Sequence, residues 1–254
     1  MAMAGTDKKT SIEKALDLLA LFTNEPYEYT IPQIVKLTGM NRTTVYRNIN
    51  VLEDFGLLMK DEYDKCYKIG PMAYRMGSIY LNNANYEGNL LAILERIAEE
   101  SKESVGLARR EGNSVVSIYS VEIHQPVKMN DKPGTFYPMN RGTYGKCLMA
   151  YHDQKTVGEL LRESAFEKMT PNTITDPDEL LQEYAKIRKQ GFVTSIDESF
   201  AYITGVGIPI CSHDGKVRNV VAISFFRQDD YLEKIERMKE LLFKYKSDIE
   251  QYIL

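Results

Sequence analysis

The chain is poor in the features that mark several classes of protein. Its 254 residues include three cysteines, Cys66, Cys147 and Cys211, an odd number spread far apart. That excludes a secreted disulfide scaffold and points to a reducing, cytoplasmic setting. No run approaches the roughly 18 apolar residues of a membrane span, so no membrane partner is expected. Met1–Lys9 has no apolar core of a secretory leader and reads as a disordered stretch. Neither charge dominates: 32 basic and 36 acidic residues leave a formal −4, which excludes a basic coat for nucleic acid but not a local basic patch. No internal repeat and no low-complexity tract is visible.

What remains is ordinary globular composition, 43% hydrophobic and 27% charged, in a length that suits roughly two domains. The first, over residues 10–70, reads as helix, helix, turn, helix and hairpin. Ile12, Ala15, Leu16, Leu19 and Phe22 recur at helical spacing and predict one buried face, with Thr10 or Ser11 as cap. Asn24-Glu25-Pro26 stops that helix. A short helix over 31–38 carries Pro32 in its first turn, and Gly39 turns the chain. A third helix runs from Arg42 to Phe55 with Asn41 as N-cap, and Gly56 ends it. Helix, glycine turn, helix is a helix-turn-helix pattern. Two short strands around Asp61–Asp64 then supply the hairpin of a winged variant.

Residues 71–87 read as a linker helix with apolar Tyr74, Met76, Ile79, Tyr80 and Leu81. Residues 88–254 read as a second domain. A helix over Leu90–Lys102 precedes strands at Val105–Arg110 and Ser114–Val121. Short strands are predicted at Pro126–Met129 and Phe136–Pro138, and a helix over Lys146–Tyr151. Asp176, Pro177, Glu179 and Gly191 bracket another helix. Strands over 192–196, 205–211 and 217–225 precede a closing helix over Tyr231–Ile253. Hairpin strands with flanking helices make an α+β domain with a mixed or antiparallel sheet.

The segment Tyr29–Leu52 contains no Asp or Glu, while Lys36, Arg42 and Arg47 give it a local +3; residues 1–70 as a whole are −1. That asymmetry suits a helix entering a major groove of double-stranded DNA. Asn41, Arg42, Thr43, Thr44, Tyr46, Arg47 and Asn50 are candidate contacts, with Thr43, Arg47 and Asn50 on one face and Val45, Ile49 and Leu52 on the other. Arg pairs bidentately with guanine and Asn with adenine. Lys60, Lys65 and Lys68 in the hairpin are candidates for phosphate contacts. A solvated polar helix face is the plainer alternative.

Other chemistry is less well supported. Cys147 could be a nucleophile, but the apolar run CLMA predicts a buried, inert thiol. Cys211 and His213 have a ligand spacing, yet His124 and His152 are isolated, so no metal and no cofactor is expected. Glu198 lacks a second carboxylate motif, so a hydrogen-bonding role is expected over catalysis, and no enzyme activity follows.

These residues resemble the IclR family of bacterial transcriptional regulators. The resemblance rests on LTGMNRTTVYR at 37–47 and LEDFG at 52–56. Behind them stand GKCLMA at 145–150, IRKQGF at 187–192, Asp197-Glu198, ITGVGIPI at 203–210 and VAIS at 221–224. It implies a winged DNA-binding domain, a linker helix used in dimerisation, a GAF-like effector domain, and a homodimer that assembles as a dimer of dimers. It also implies an effector cavity at Met129, Tyr137, Thr143, Tyr144, Gly145, Ser195, Ile203, Gly205, Ser224 and Phe226, which takes a small organic acid partly through backbone N–H groups of the helix led by Gly145-Lys146. Tyr144, Gly205 and Phe226 depart from the small-acid pattern and imply a reshaped pocket. The function implied is an effector-responsive regulator of operator DNA, a repressor rather than an activator. The rival is a sensor or enzyme whose first domain mediates protein contacts; such a protein would not retard its own upstream DNA.

Overall fold

The computed structural model describes residues 9–61, 63–83, 89–123 and 132–253. The chain divides into two compact units, Met1–Asn83 and Ala84–Leu254.

In the first unit, α1 (Ser11–Leu21) starts on a capping box, with Thr10 Oγ1 accepting from the Glu13 N–H and Glu13 accepting from the Thr10 N–H. The predicted buried face is corrected. Leu18 and Phe22 are fully buried, whereas Ile12 and Leu16 are 73% and 58% exposed. At 3.6 residues per turn, Leu16 and Ile12 lie about 160° and 120° around the helix from Leu18. The helix carries two apolar stripes, and one of them meets the core. Strand β1 (Glu28–Tyr29) leads into α2 (Ile31–Thr38), which Gly39 closes at φ +68° with its N–H donated to Val35. Helix α3 (Arg42–Asp54) begins where Asn41 Oδ1 accepts from the Thr44 N–H at 2.8 Å.

The hairpin of β2 (Leu58–Lys60) and β3 (Tyr67–Ile69) gains β1 as a third antiparallel strand, in the order β1-β3-β2. Gly70 lies so close to Gly56 that a Cβ there would meet its carbonyl oxygen at 2.3 Å. Helix α4 (Pro71–Asn83) follows. Leu18, Phe22, Ile34, Val45, Ile49, Leu58 and Tyr67 form this unit's core.

In the second unit, α5 (Asn89–Ser101) precedes β4 (Ser104–Glu111), β5 (Ser114–Val121) and β6 (Phe136–Tyr137). Then come α6 (Thr143–Ala150), α7 (Gln154–Glu163), α8 (Pro177–Gln190), β7 (Val193–Ile196), β8 (Ile203–Cys211), β9 (Val217–Phe226) and α9 (Tyr231–Glu250). The sheet order is β6-β5-β4-β9-β8-β7, antiparallel throughout. Helix α6 starts three residues earlier than the sequence pattern suggests, because Gly142 at φ +76° opens it. Helix α7 was not predicted, although Asp153 caps it by accepting from the Thr156 N–H. The predicted strand at Pro126–Met129 lies outside the described residues.

Alternation along the strands feeds two cores. Leu107, Val206, Ile208, Val221 and Ile223 pack with Leu90, Ile97, Leu242 and Ile249 of α5 and α9. Ala108, Val193, Val220 and Ala222 pack with Cys147, Leu148, Tyr184 and Ile187 of α6 and α8. The second face carries small residues near its end: Gly205 pairs with Ser224, and Gly207 with Ala222.

Candidate ligand cavity and nucleic-acid interface

Gly205 and Ser224 open a cavity of about 280 Å³ between the β8–β9 end of the sheet and the start of α6. Tyr137, Thr143, Tyr144, Ser195, Ile203, Gly205 and Ser224 line it together. A Cβ on Gly205 would stand 2.8 Å from Thr143 Cγ2 and 3.5 Å from Ser224 Oγ, so this glycine sets the width of the cavity at that point. Tyr137 and Tyr144 form an edge-to-face pair with ring centroids 4.9 Å apart, a stiff wall on one side.

Two of the sequence candidates fall elsewhere. Phe226 pairs with Ile203 across the ladder but is not among the lining residues, and its ring is partly exposed. Gly145 meets protein, since a Cβ there would fall 1.9 Å from the Pro138 carbonyl oxygen. Its missing side chain lets α6 seat against that carbonyl. Met129 lies outside the described residues. Thr135, Gly142, Ser199 and Phe200 also line the cavity and were missed. They sit in turns, where no periodicity marks them; Gly142 alone carried a local signal, as a glycine just ahead of a helix.

Among the described residues, no charged side chain lines the cavity. Charge is held one layer behind. Lys146 Nζ is buried and donates to Glu198 Oε1 at 2.6 Å, Glu183 Oε1 at 3.0 Å and the Thr194 carbonyl at 2.9 Å. Glu198 Oε2 accepts the Gly142 N–H at 3.0 Å. Thr173 Oγ1 donates to the Glu198 carbonyl, fixing the loop from outside. Burial pushes the Glu198 carboxyl above the usual carboxylate range, and the Lys146 ammonium, the Gly142 N–H and the Ser195 hydroxyl oppose that shift. Glu198 thus works through hydrogen bonds and an ion pair. Lys146, a lysine inside an apolar helical run, was the unread signal.

Cys147 is fully buried and its thiol is pushed well above its ordinary range by desolvation, so it packs and does not attack. His213 is exposed, and among the described residues no three His, Cys, Asp or Glu side chains come together to hold a metal.

The first unit presents a different kind of surface. Val45, Asn48, Ile49 and Leu52 are buried, while Arg42, Thr43, Tyr46, Arg47 and Asn50 are exposed and Thr44 half-buried. The Arg42 guanidinium lies 5.6 Å from the Tyr46 ring centroid, and Arg47 Nη2 donates to Ser11 Oγ at 3.2 Å. Asn41 spends its side-chain oxygen on the helix cap. In the wing, Lys60 lies over the Tyr67 ring at 5.6 Å, Lys68 pairs with Asp61 at 3.3 Å, and Lys65 stands at the turn with φ +57°.

Comparison with known proteins decides what the two units are. The model of the IclR helix-turn-helix domain matches residues 11–62, and that of the bacterial transcriptional regulator IclR C-terminal domain matches residues 79–251. The chain belongs to the IclR family. Like the other members of the IclR family matched here, it is a transcriptional regulator with a DNA-binding helix-turn-helix and an α+β C-terminal domain. It is 26% identical over 220 residues to the transcriptional regulator KipR of Bacillus subtilis, covering 87% of each chain. The solved IclR of Thermotoga maritima is 29% identical, with a TM-score of 0.74 over 95% of this chain and 97% of that one. An IclR homologue from Microbacterium hydrocarbonoxydans, solved in complex with 4-hydroxybenzoate, shares the fold at 19% identity, with a TM-score of 0.74 over 94% and 99%. Among the described residues, no helix is long and apolar enough to cross a membrane.

Proposed function

We propose that this regulator is a cytoplasmic, effector-responsive repressor that releases operator DNA when a small organic acid fills the cavity of its second unit. The observation that carries this reading is the presence, in one chain, of an acid-free polar helix face and a cavity with hydroxyl groups at one side. Arg47, Thr43 and Asn50 are the proposed base-reading residues of α3, with Arg42, Thr44 and Tyr46 beside them on phosphates. Lys60, Lys65 and Lys68 act mainly through phosphates.

One winged unit reads too few base pairs for a genome, so the active species is a homodimer on a near-palindromic site, assembling further as a dimer of dimers. Tyr74, Met76, Ile79 and Leu81 of α4, all exposed, form the proposed dimer seam.

In the cavity, Thr143 and Ser224 supply hydroxyl hydrogen bonds, Ser195 shares its hydroxyl between Glu198 and the ligand, and the first turn of α6, which has no side-chain cap, supplies backbone N–H groups and a positive dipole end. Tyr137, Tyr144 and Ile203 supply an apolar wall. This combination suits a carboxylate on a flat, apolar body, and 4-hydroxybenzoate is the natural first probe. The test is gel retardation of the upstream DNA with and without a panel of aromatic and aliphatic acids. The expected result is a retarded band that one class of acid releases. A chain that never retards that DNA overturns the reading.

A further inference from the structure

The ion-pair network behind the cavity divides its cations unevenly between two carboxylates. One ammonium, Lys146, lies between two carboxylates, Glu183 and Glu198. Glu183 has a second cation, Lys186, at 3.7 Å. Among the described residues Glu198 has no second ion-pair partner, and it is the more buried of the two carboxylates. Its Oε1 faces Lys146, and its Oε2 accepts the Gly142 N–H, at the helix start where an anionic effector would seek its donors.

We propose that Glu198 is a specificity-determining residue of the cavity, and that a carboxylate effector binds together with one proton taken up by Glu198. This inference rests on the reading of the cavity as an acid-binding effector site. A ligand carboxylate at the first turn of α6 falls within the ~4–6 Å range over which like charges perturb one another. Protonating Glu198 removes that repulsion. It also leaves Lys146 neutralised by Glu183, so no buried cation is stranded. The protonated carboxyl keeps one oxygen for the Gly142 N–H.

The other groups facing Glu198 do not substitute for it. On α8, Tyr184 is held above its ordinary range by burial and stays neutral, and it donates to the Met139 carbonyl. On the same loop, Asp197 is engaged by Arg227 at 2.8 Å. On its other side Glu198 itself, with Glu183, borders a more open, polar hollow that Lys168, Asp176, Glu179 and Lys186 also line, and water there screens those four. Burial already raises the Glu198 carboxyl, so the group starts closer to neutral pH than an exposed glutamate.

The sign follows from linkage. An anionic ligand raises the Glu198 pKa further, so the bound state holds more protons and affinity rises as pH falls. The ligand's own carboxyl, with a pKa near 4, stays ionised between pH 6 and 8 and contributes nothing there.

The experiment is calorimetric titration of the full-length protein with 4-hydroxybenzoate and the other acids of the panel at pH 6 and pH 8. Each is run in two buffers of different ionisation enthalpy, with 4-hydroxybenzamide as the uncharged counterpart. The expected result is proton uptake on binding the acid and an affinity about tenfold tighter at pH 6, with an amide affinity that does not move. Glu198→Gln should abolish the proton uptake and flatten the pH profile of the acid. An acid that binds with no proton exchanged overturns the proposal while leaving the effector reading standing. If no carboxylate binds at either pH, the acid-effector reading falls and the proposal falls with it. Because the wild-type titration measures the exchanged proton directly, the outcome does not depend on the variant folding.

Discussion

Two helix starts in this molecule solve one problem in opposite ways. At α3, the orphan N–H groups of the first turn are answered locally, by the Asn41 side chain three residues before the group it caps. At α6, the cap residue is Gly142, which has no side chain to offer; its N–H is taken by a carboxylate 56 residues further on. The first arrangement completes itself within one turn and leaves the outer helix face to read something else. The second leaves the next N–H groups of the turn beside a cavity. A self-sufficient start suits a rigid reading head, and a start completed from afar suits a site whose state depends on what fills it.

The sharpest way to break this contrast is Lys146→Met. It strands Glu198, the distant group that completes the α6 start. Removing one member of a buried ion pair costs ~3–5 kcal/mol, so urea unfolding should show a loss of that size. A loss below about 1 kcal/mol means that the network is not what holds this start.

Gly142→Ala tests the same place through the backbone. Its φ of +76° and ψ of 170° lie where side chains are rarely tolerated, and a cost of about 1–3 kcal/mol is expected in the same assay. On the reading head, Arg47→Ala should leave stability nearly unchanged and weaken operator binding by about 1–3 kcal/mol in a retardation titration. Unchanged operator affinity removes Arg47 from the interface. The smallest effect belongs to Asn41→Ala, about 1 kcal/mol for a lost N-cap. If Asn41→Ala costs as much as Lys146→Met, the two starts are equally dependent on their caps and the contrast is gone.

The same contrast separates what was legible in the sequence from what was not. Caps at Thr10, Asn41 and Asp176 and the stops at Gly39 and Gly191 act within a turn, and each was readable from its neighbours. The cavity's strand residues, Ser195, Ile203, Gly205 and Ser224, came from resemblance to the family; periodicity alone did not pick them out. Strand β1 was invisible because two residues make a strand only when β3 lies beside them. The stripe of Ile12 and Leu16 matched helical spacing as well as the buried one did, and only the position of α3 decides between them. Lys146 was missed because charge ordinarily excludes a lysine from a core, and its three acceptors come from α8, β7 and the loop after it.

The small residues at the β8–β9 end have a consequence for how such a regulator changes over generations. Gly205, Gly207, Ala222 and Ser224 occupy one parity of the ladder; Val206, Ile208, Val221 and Ile223 occupy the other and belong to the core with α5 and α9. A methyl added or removed at Gly205 or Ser224 reshapes the hollow and leaves the core with α5 and α9 untouched, whereas Gly207 and Ala222 sit against the core with α6 and α8. The inheritance of ligand preference is thereby uncoupled from the inheritance of foldability. If the hollow holds the proposed effector, a lineage can drift from one ligand to another through single steps at Gly205 and Ser224.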